Sequence, residues 1–156
     1  MPFLVAIRRL YAATPAATRL RHRAMPHKIL IVDDSPSIRI ALRNSLEQRI
    51  GWRVCGEAEN GEDAIQKVRD LNPDIVILDL QMPVMNGLEA GREITRIAPE
   101  VPLLMFTMHR SDELVRLAQA TGIKKVVAKS SGMPDLIAAI QELISSGARD
   151  RVRRTA

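Results

Sequence analysis

A chain of 156 residues, 46% apolar and 26% charged, has the length and balance of one globular domain and excludes a wholly disordered protein. No apolar run nears the roughly 20 residues that span a bilayer, and the single cysteine, Cys55, excludes an internal disulfide framework and suits a reducing, cytoplasmic setting. The net charge of +5 sits at the ends: five arginines and no acid before residue 25, and Arg149, Arg151, Arg153 and Arg154 against Asp150 near the other terminus. The stretch between is acidic and shows no basic face for nucleic acid, so direct DNA binding is not expected.

Residues 1–26 lack the period of a packed element and are read as an extension outside the fold. Their arginine-rich, acid-free composition has the look of a transit peptide. The plainer reading is that Met25 is the true start, or that the segment is mobile. The domain itself is expected over 27–147, with a basic, solvated tail or linker stub over 148–156.

Within the domain, short apolar runs alternate with stretches of helical spacing. "KILIV" (28–32) predicts a buried first strand, followed by a helix whose stripe is Ile38, Leu42, Leu46 and Ile50, with Ser35 as its cap and Pro36 at its first position. "WRVCGEA" (52–58) predicts the second strand, with Cys55 a small buried residue, and Ala64, Ile65, Val68 and Leu71 the next helix. "DIVILDL" (74–80) and Leu88, Ile94 and Ile97 follow, then "PLLMFTM" (102–108) with Leu114, Leu117 and Ala118. "KKVVAK" (124–129) and Leu136, Ile137, Ile140 and Ile144 complete the series. Asn60-Gly61, Asn72-Pro73, Asn86-Gly87 and Thr121-Gly122 punctuate it. Alternating strands and helices of this length predict an α/β fold doubly wound about a parallel five-stranded sheet of order 2-1-3-4-5.

In such a sheet, ligands bind outside the carboxyl ends of the strands. Those ends carry Asp33 and Asp34 on the first strand, Asp79 on the third, Thr107 on the fourth and Lys129 on the fifth. Singly, each is an ordinary cap, turn or surface residue. Together they put three carboxylates, a hydroxyl and an ammonium on one rim. Clustered carboxylates repel, and a hard divalent cation such as Mg²⁺ relieves that repulsion while sharing phosphate oxygens. Asp79 is then placed to act as a nucleophile that forms an aspartyl phosphate. Thr107 and Lys129 are the partners for the oxygens of the transferred group.

At these residues the chain resembles the receiver domain of two-component response regulators. The matching stretches are "ILIVDDSPSIR", "GEAENGEDAI", "PDIVILDLQMPVMNGLE", "MFTMH" and "VVAKSS", covering about residues 28 to 145. The likeness names the fold as flavodoxin-like (βα)5 and implies a CheY-like bacterial protein that takes a phosphoryl group onto Asp79 from a sensor histidine kinase or a histidine phosphotransfer protein. It implies Mg²⁺ held by Asp33, Asp34, Asp79 and the backbone carbonyl of Gln81. Catalysis is then confined to the domain's own phosphorylation and dephosphorylation, not turnover of a substrate. The motifs are most similar to LuxR/NarL-type receivers, which normally carry a C-terminal helix-turn-helix. Val126 stands where the family usually has an aromatic switch residue, which puts the usual coupling of Thr107 to that ring in doubt. Ser130 follows Lys129 where many receivers have proline.

The expected output surface is the face of the fourth helix, fifth strand and fifth helix, offered to an output protein or to a second copy in a homodimer. The function read here is a self-standing receiver. The alternatives are a receiver-like module that binds partners without phosphorylation, and the front half of a LuxR-type regulator. A Mg²⁺-dependent phosphatase is disfavoured because no insertion supplies a cap. Met108 either restricts access to Asp79 or packs its loop, and His109 is a solvated loop residue or one that affects an attacking water.

Overall fold

The computed structural model describes residues 25–155, so the readings of the N-terminal segment before Met25 lie outside the described residues. Five strands alternate with five helices: β1 (His27–Val32), α1 (Pro36–Glu47), β2 (Trp52–Ala58), α2 (Gly61–Leu71), β3 (Ile75–Leu78), α3 (Gly87–Ile97), β4 (Leu103–Thr107), α4 (Asp112–Ala120), β5 (Lys125–Ala128) and α5 (Met133–Thr155). The strands form one parallel sheet of order β2-β1-β3-β4-β5, the flavodoxin-like arrangement expected from the sequence.

Side chains alternate across a strand, and here each face meets its own helices. Leu30, Val32, Val76, Leu78, Leu103 and Met105 pack with α2, α3 and α4 through Ala64, Val68, Ala90, Ile94, Leu114 and Ala118. Ile29, Ile31, Ile75, Ile77, Leu104 and Phe106 pack with α1 and α5 through Leu42, Leu46, Leu136 and Ile140. Burial on both faces is why the strands read as continuous apolar runs.

Two helical stripes differ from expectation, and the last helix is longer than expected. α1 stops at Glu47, and the chain turns through Gly51 at φ +83, so Ile50 falls beyond the helix and is fully exposed. Leu117 lies on the outer side of α4 and is half exposed, while Leu114 and Ala118 are buried. α5 continues unbroken to Thr155 and so takes in the described residues of the stretch set apart as a basic tail.

The caps divide in the same way. Asn60, Asn86 and Ser111 accept hydrogen bonds from their helices' first-turn N–H groups, and Asn86 with Glu89 forms a full capping box. Ser35 precedes α1 in extended conformation with Pro36 next, yet its side chain makes no cap bond. Cys55 is half-buried: the β1–β2 register skips it between Ile29 and Leu30, and its Sγ donates to the Ile29 carbonyl at 3.4 Å. Burial pushes its thiol pKa up, as for an inert packing residue. Among the described residues no helix is long and apolar enough to cross a membrane.

Candidate functional site

Sheet register decides which side chains meet. Val32 pairs with Leu78, so Asp33 and Asp79 leave the two central strands side by side. Leu78 pairs with Met105 and Thr107 with Ala128, which brings Thr107 and Lys129 to the same rim. The backbone then holds each position. The Asp33 N–H donates to the Ala58 carbonyl at 3.0 Å and the Asp79 N–H to the Val32 carbonyl at 2.9 Å.

The carboxylates of Asp33, Asp34 and Asp79 offer oxygens within 4.8 Å of one another. Asp33 and Asp79 are buried and Asp34 is exposed. Lys129 Nζ donates to Asp33 Oδ2 at 2.6 Å and lies 3.4 Å from Asp79 Oδ2. Asp79 Oδ1 accepts the Leu80 N–H at 2.8 Å, and Asp33 Oδ1 accepts the Ser35 N–H at 2.8 Å. Among the described residues Asp79 Oδ2 accepts no backbone N–H and has the Lys129 ammonium beside it, and Asp79 lines a pocket of about 370 Å³. Thr107, Gln81, Met108 and His109 line that pocket as well. Thr107 is buried, and its hydroxyl makes no hydrogen bond among the described residues.

Electrostatics follow from this placement. Burial raises the Asp79 pKa above the usual carboxylate range, and the Asp33 charge adds to the rise against the pull of Lys129. For Lys129, burial works to lower the pKa. The hydrogen bond to Asp33 and the charges of Asp79 and Asp33 outweigh it and hold the ammonium above its ordinary value. Lys129 pairs with Asp33 and Asp79 but not with Asp34, which leaves the rim with an excess of negative charge. Three hard oxygen donors at this separation, beside a pocket open to water, fit a small divalent cation that keeps part of its hydration shell.

All six residues expected at the site line one rim: Asp33, Asp34, Asp79, Gln81, Thr107 and Lys129. Met108 is 62% exposed and lines the pocket, with His109 exposed beside it. Sequence reasoning missed two supports. Gly87 is one: a Cβ there would sit 2.1 Å from the Asp79 carbonyl oxygen, so only glycine lets α3 start against the strand end. Asn86-Gly87 was legible as punctuation but not as a contact with Asp79. Arg39 is the other: its Nη1 donates to the Asp33 carbonyl at 2.7 Å, a contact across a turn that no spacing rule reveals.

Comparison with known proteins gives one consistent result. Residues 29–141 match the family described as the response regulator receiver domain. The chain is 35% identical over 123 residues to the response regulator GacA of Pseudomonas syringae pv. syringae, covering 78% of this chain and 56% of that one. It superposes at a TM-score of 0.75 and 32% identity on a LuxR-family two-component response regulator from an Aurantimonas species, covering 81% of this chain and 99% of that one. It also matches, at a TM-score of 0.66 and 26% identity, a structure described as a CheX-CheY-BeF3-Mg complex from Borrelia burgdorferi, covering 78% and 90% of the two chains. The chain spans about half the length of the curated relatives it matches.

Proposed function

This chain belongs to the response regulator receiver domain family, and from that premise we propose that it takes a phosphoryl group onto Asp79 in two-component signalling. The observation that carries the reading is the reach of Lys129 to both Asp33, at 2.6 Å, and Asp79, at 3.4 Å, on a rim of three converging carboxylates. The lysine bridges Asp33 of the first strand end and Asp79 of the third.

The donor is a phosphohistidine on a sensor histidine kinase or a histidine phosphotransfer protein. Asp79 Oδ2 forms the new O–P bond as the P–N bond breaks, and the electron pair returns to the imidazole nitrogen, which takes up a proton from solvent. Asp79 Oδ1, held by the Leu80 N–H, keeps the carboxylate from rotating away. Lys129 swings its second contact from Asp79 to a phosphoryl oxygen, and the unpaired Thr107 hydroxyl donates to another. Asp33, Asp34 and Asp79, with the Gln81 carbonyl beside them, are the residues that would hold Mg²⁺. Bound there, the ion supplies charge neutralisation for the phosphoryl oxygens. Hydrolysis reverses the gain: water attacks phosphorus, the Asp79 O–P bond breaks and the carboxylate is restored.

The output is the α4–β5–α5 face, offered to a partner protein or a second copy. A second reading, a receiver that works ahead of a further output domain, is favoured by the curated relatives being nearly twice as long as the matched stretch. Incubation with acetyl phosphate and Mg²⁺, followed by a phosphate-affinity gel, tests the central claim. A retarded band that is lost in Asp79→Asn is expected. No retardation in the native chain, or one that survives Asp79→Asn, overturns the assignment.

A further inference from the structure

Two residues of the receiver-like motifs have no part in the chemistry above: Arg39, which closes "ILIVDDSPSIR", and Glu57, inside "GEAENGEDAI". The fold brings them together behind the acidic rim. Arg39 stands in the first turn of α1. Its Nε donates to Glu57 Oε2 at 3.0 Å, and its Nη1 donates to the Asp33 backbone carbonyl at 2.7 Å. The Arg39 side chain is only 16% exposed, so solvent screens these bonds weakly. Glu57, near the end of β2, also accepts from Arg43 Nε at 2.6 Å, and Lys67 of α2 donates to its carbonyl.

The carbonyl that Arg39 holds belongs to the peptide plane shared by Asp33 and Asp34. Asp33 is already fixed through its own N–H, its Oδ1 and its Oδ2. Asp34 is different: it is exposed, and its carboxylate makes no hydrogen bond or ion pair among the described residues. The direction of its Cα–Cβ bond, and so which of its rotamers reach the rim, is set by the backbone that carries it. Three carboxylates within 4.8 Å repel, and a peptide free to shift lets the exposed one move away from the other two.

We propose that Arg39, oriented by Glu57, is a positioning residue that locks the Asp33–Asp34 peptide and so presents the Asp34 carboxylate to a divalent cation together with Asp33 and Asp79. This rests on the reading of the rim as a cation site. The planar guanidinium spans a carboxylate and a carbonyl at once, and an ammonium point charge cannot reproduce that fork. Partners that orient metal ligands typically change affinity by 10- to 100-fold when removed.

The test titrates Mg²⁺ alone into the full chain, read by calorimetry and by the backbone amide shifts of residues 33, 34 and 79. Arg39→Gln is expected to weaken Mg²⁺ about tenfold, Arg39→Lys nearly as much and Glu57→Gln about threefold. Arg43→Gln loses the same carboxylate partner without touching Asp33, and it should stay within about twofold of the native chain. Labelling of Arg39→Gln by acetyl phosphate should recover at saturating Mg²⁺, because the cation's affinity is what has changed. Because Mg²⁺ also stabilises the folded state by mass action, the melting temperatures of Arg39→Gln and the native chain are compared without Mg²⁺, and equal values separate a change in affinity from a general loss of stability. An unchanged Mg²⁺ affinity in folded Arg39→Gln, or equal losses in Arg39→Gln and Arg43→Gln, overturns the proposal. Should Arg39→Gln not fold, unchanged affinity in both Arg39→Lys and Glu57→Gln overturns it equally. A native chain that binds no Mg²⁺ at millimolar concentration would instead sink the reading of the rim.

Discussion

Val84 sits in the loop after Asp79 at φ +70, a left-handed conformation that a β-branched residue adopts only under constraint. It is 72% exposed, so burial does not compensate. The constraint comes from its neighbours: the Met85 N–H donates to the Pro83 carbonyl, the Met85 carbonyl accepts the Gly61 N–H, and Asn86 and Gly87 are fixed at the start of α3. Strain of this kind costs about 1–3 kcal/mol, against roughly 0.5–1 kcal/mol for the extra backbone entropy of glycine. Val84→Gly should therefore gain about 1 kcal/mol in urea unfolding, with no change in the slope of the transition. Asp79 gives a second prediction at this scale. Its folded-state pKa is raised, chiefly by burial, so its ionisation subtracts from stability above that pKa, and the loss is lifted as pH falls through it. Without Mg²⁺, Asp79→Asn should melt at a higher temperature than the native chain at neutral pH, and the difference should shrink in acid. A native chain that melts higher at neutral pH would show that the pairing with Lys129 outweighs burial.

Elements were legible in the sequence where one physical signal dominated. Continuous apolar runs marked β1 and β4 because both of their faces are covered, and Asn60 and Asn86 marked helix starts because each caps with its own side chain. Legibility failed where the deciding contact was distant or where a pattern outlasted its element. Ile50 keeps the helical period but lies beyond the turn that ends α1. The end of α5 was hidden because charge suggested a solvated tail, while "ARDRVRR" holds no proline or glycine to stop a helix. The site's chemical groups were readable as strand-end residues. Their supports were not, since Gly87 and Arg39 act through contacts with Asp79 and Asp33 that only the fold creates. Gly87 yields a prediction for α3 as a unit. An added Cβ meets backbone on the strand side, at 2.1 Å from the Asp79 carbonyl oxygen, and no flexible side chain can give way there. Gly87→Ala must displace the first turn of α3 or the loop that carries Asp79. A loss of about 2 kcal/mol or more is expected in urea unfolding, beyond the gain that alanine's helix propensity would bring.

Across the whole molecule, the site and the proposed output face are joined by two short paths. Thr107 ends β4 and pairs with Ala128, which immediately precedes Lys129; the loop that follows Thr107 is tied back to β5 by Arg110 Nε, donating to the Val126 carbonyl at 3.3 Å. Val126 packs half-buried against the α4 side of the core, so no large ring stands there to turn inward. Coupling is then a matter of backbone: a phosphoryl group that draws Thr107 and Lys129 inward pulls on the carboxyl ends of both strands of that pair and on the Arg110 tether. The opposite end of the sheet, around Gly51, Trp52 and the middle of α5, shares no hydrogen bond with these groups. Amide hydrogen exchange with and without beryllofluoride and Mg²⁺ separates local from global change. Slower exchange is expected over residues 107–130, with none around residues 50–53. Protection confined to residues 33, 34 and 79 would mean that the site fills without moving the face. Arg110→Ala is expected to keep the protection at Thr107 and lose it across β5, which would assign the link to the tether and not to side-chain repacking at Val126.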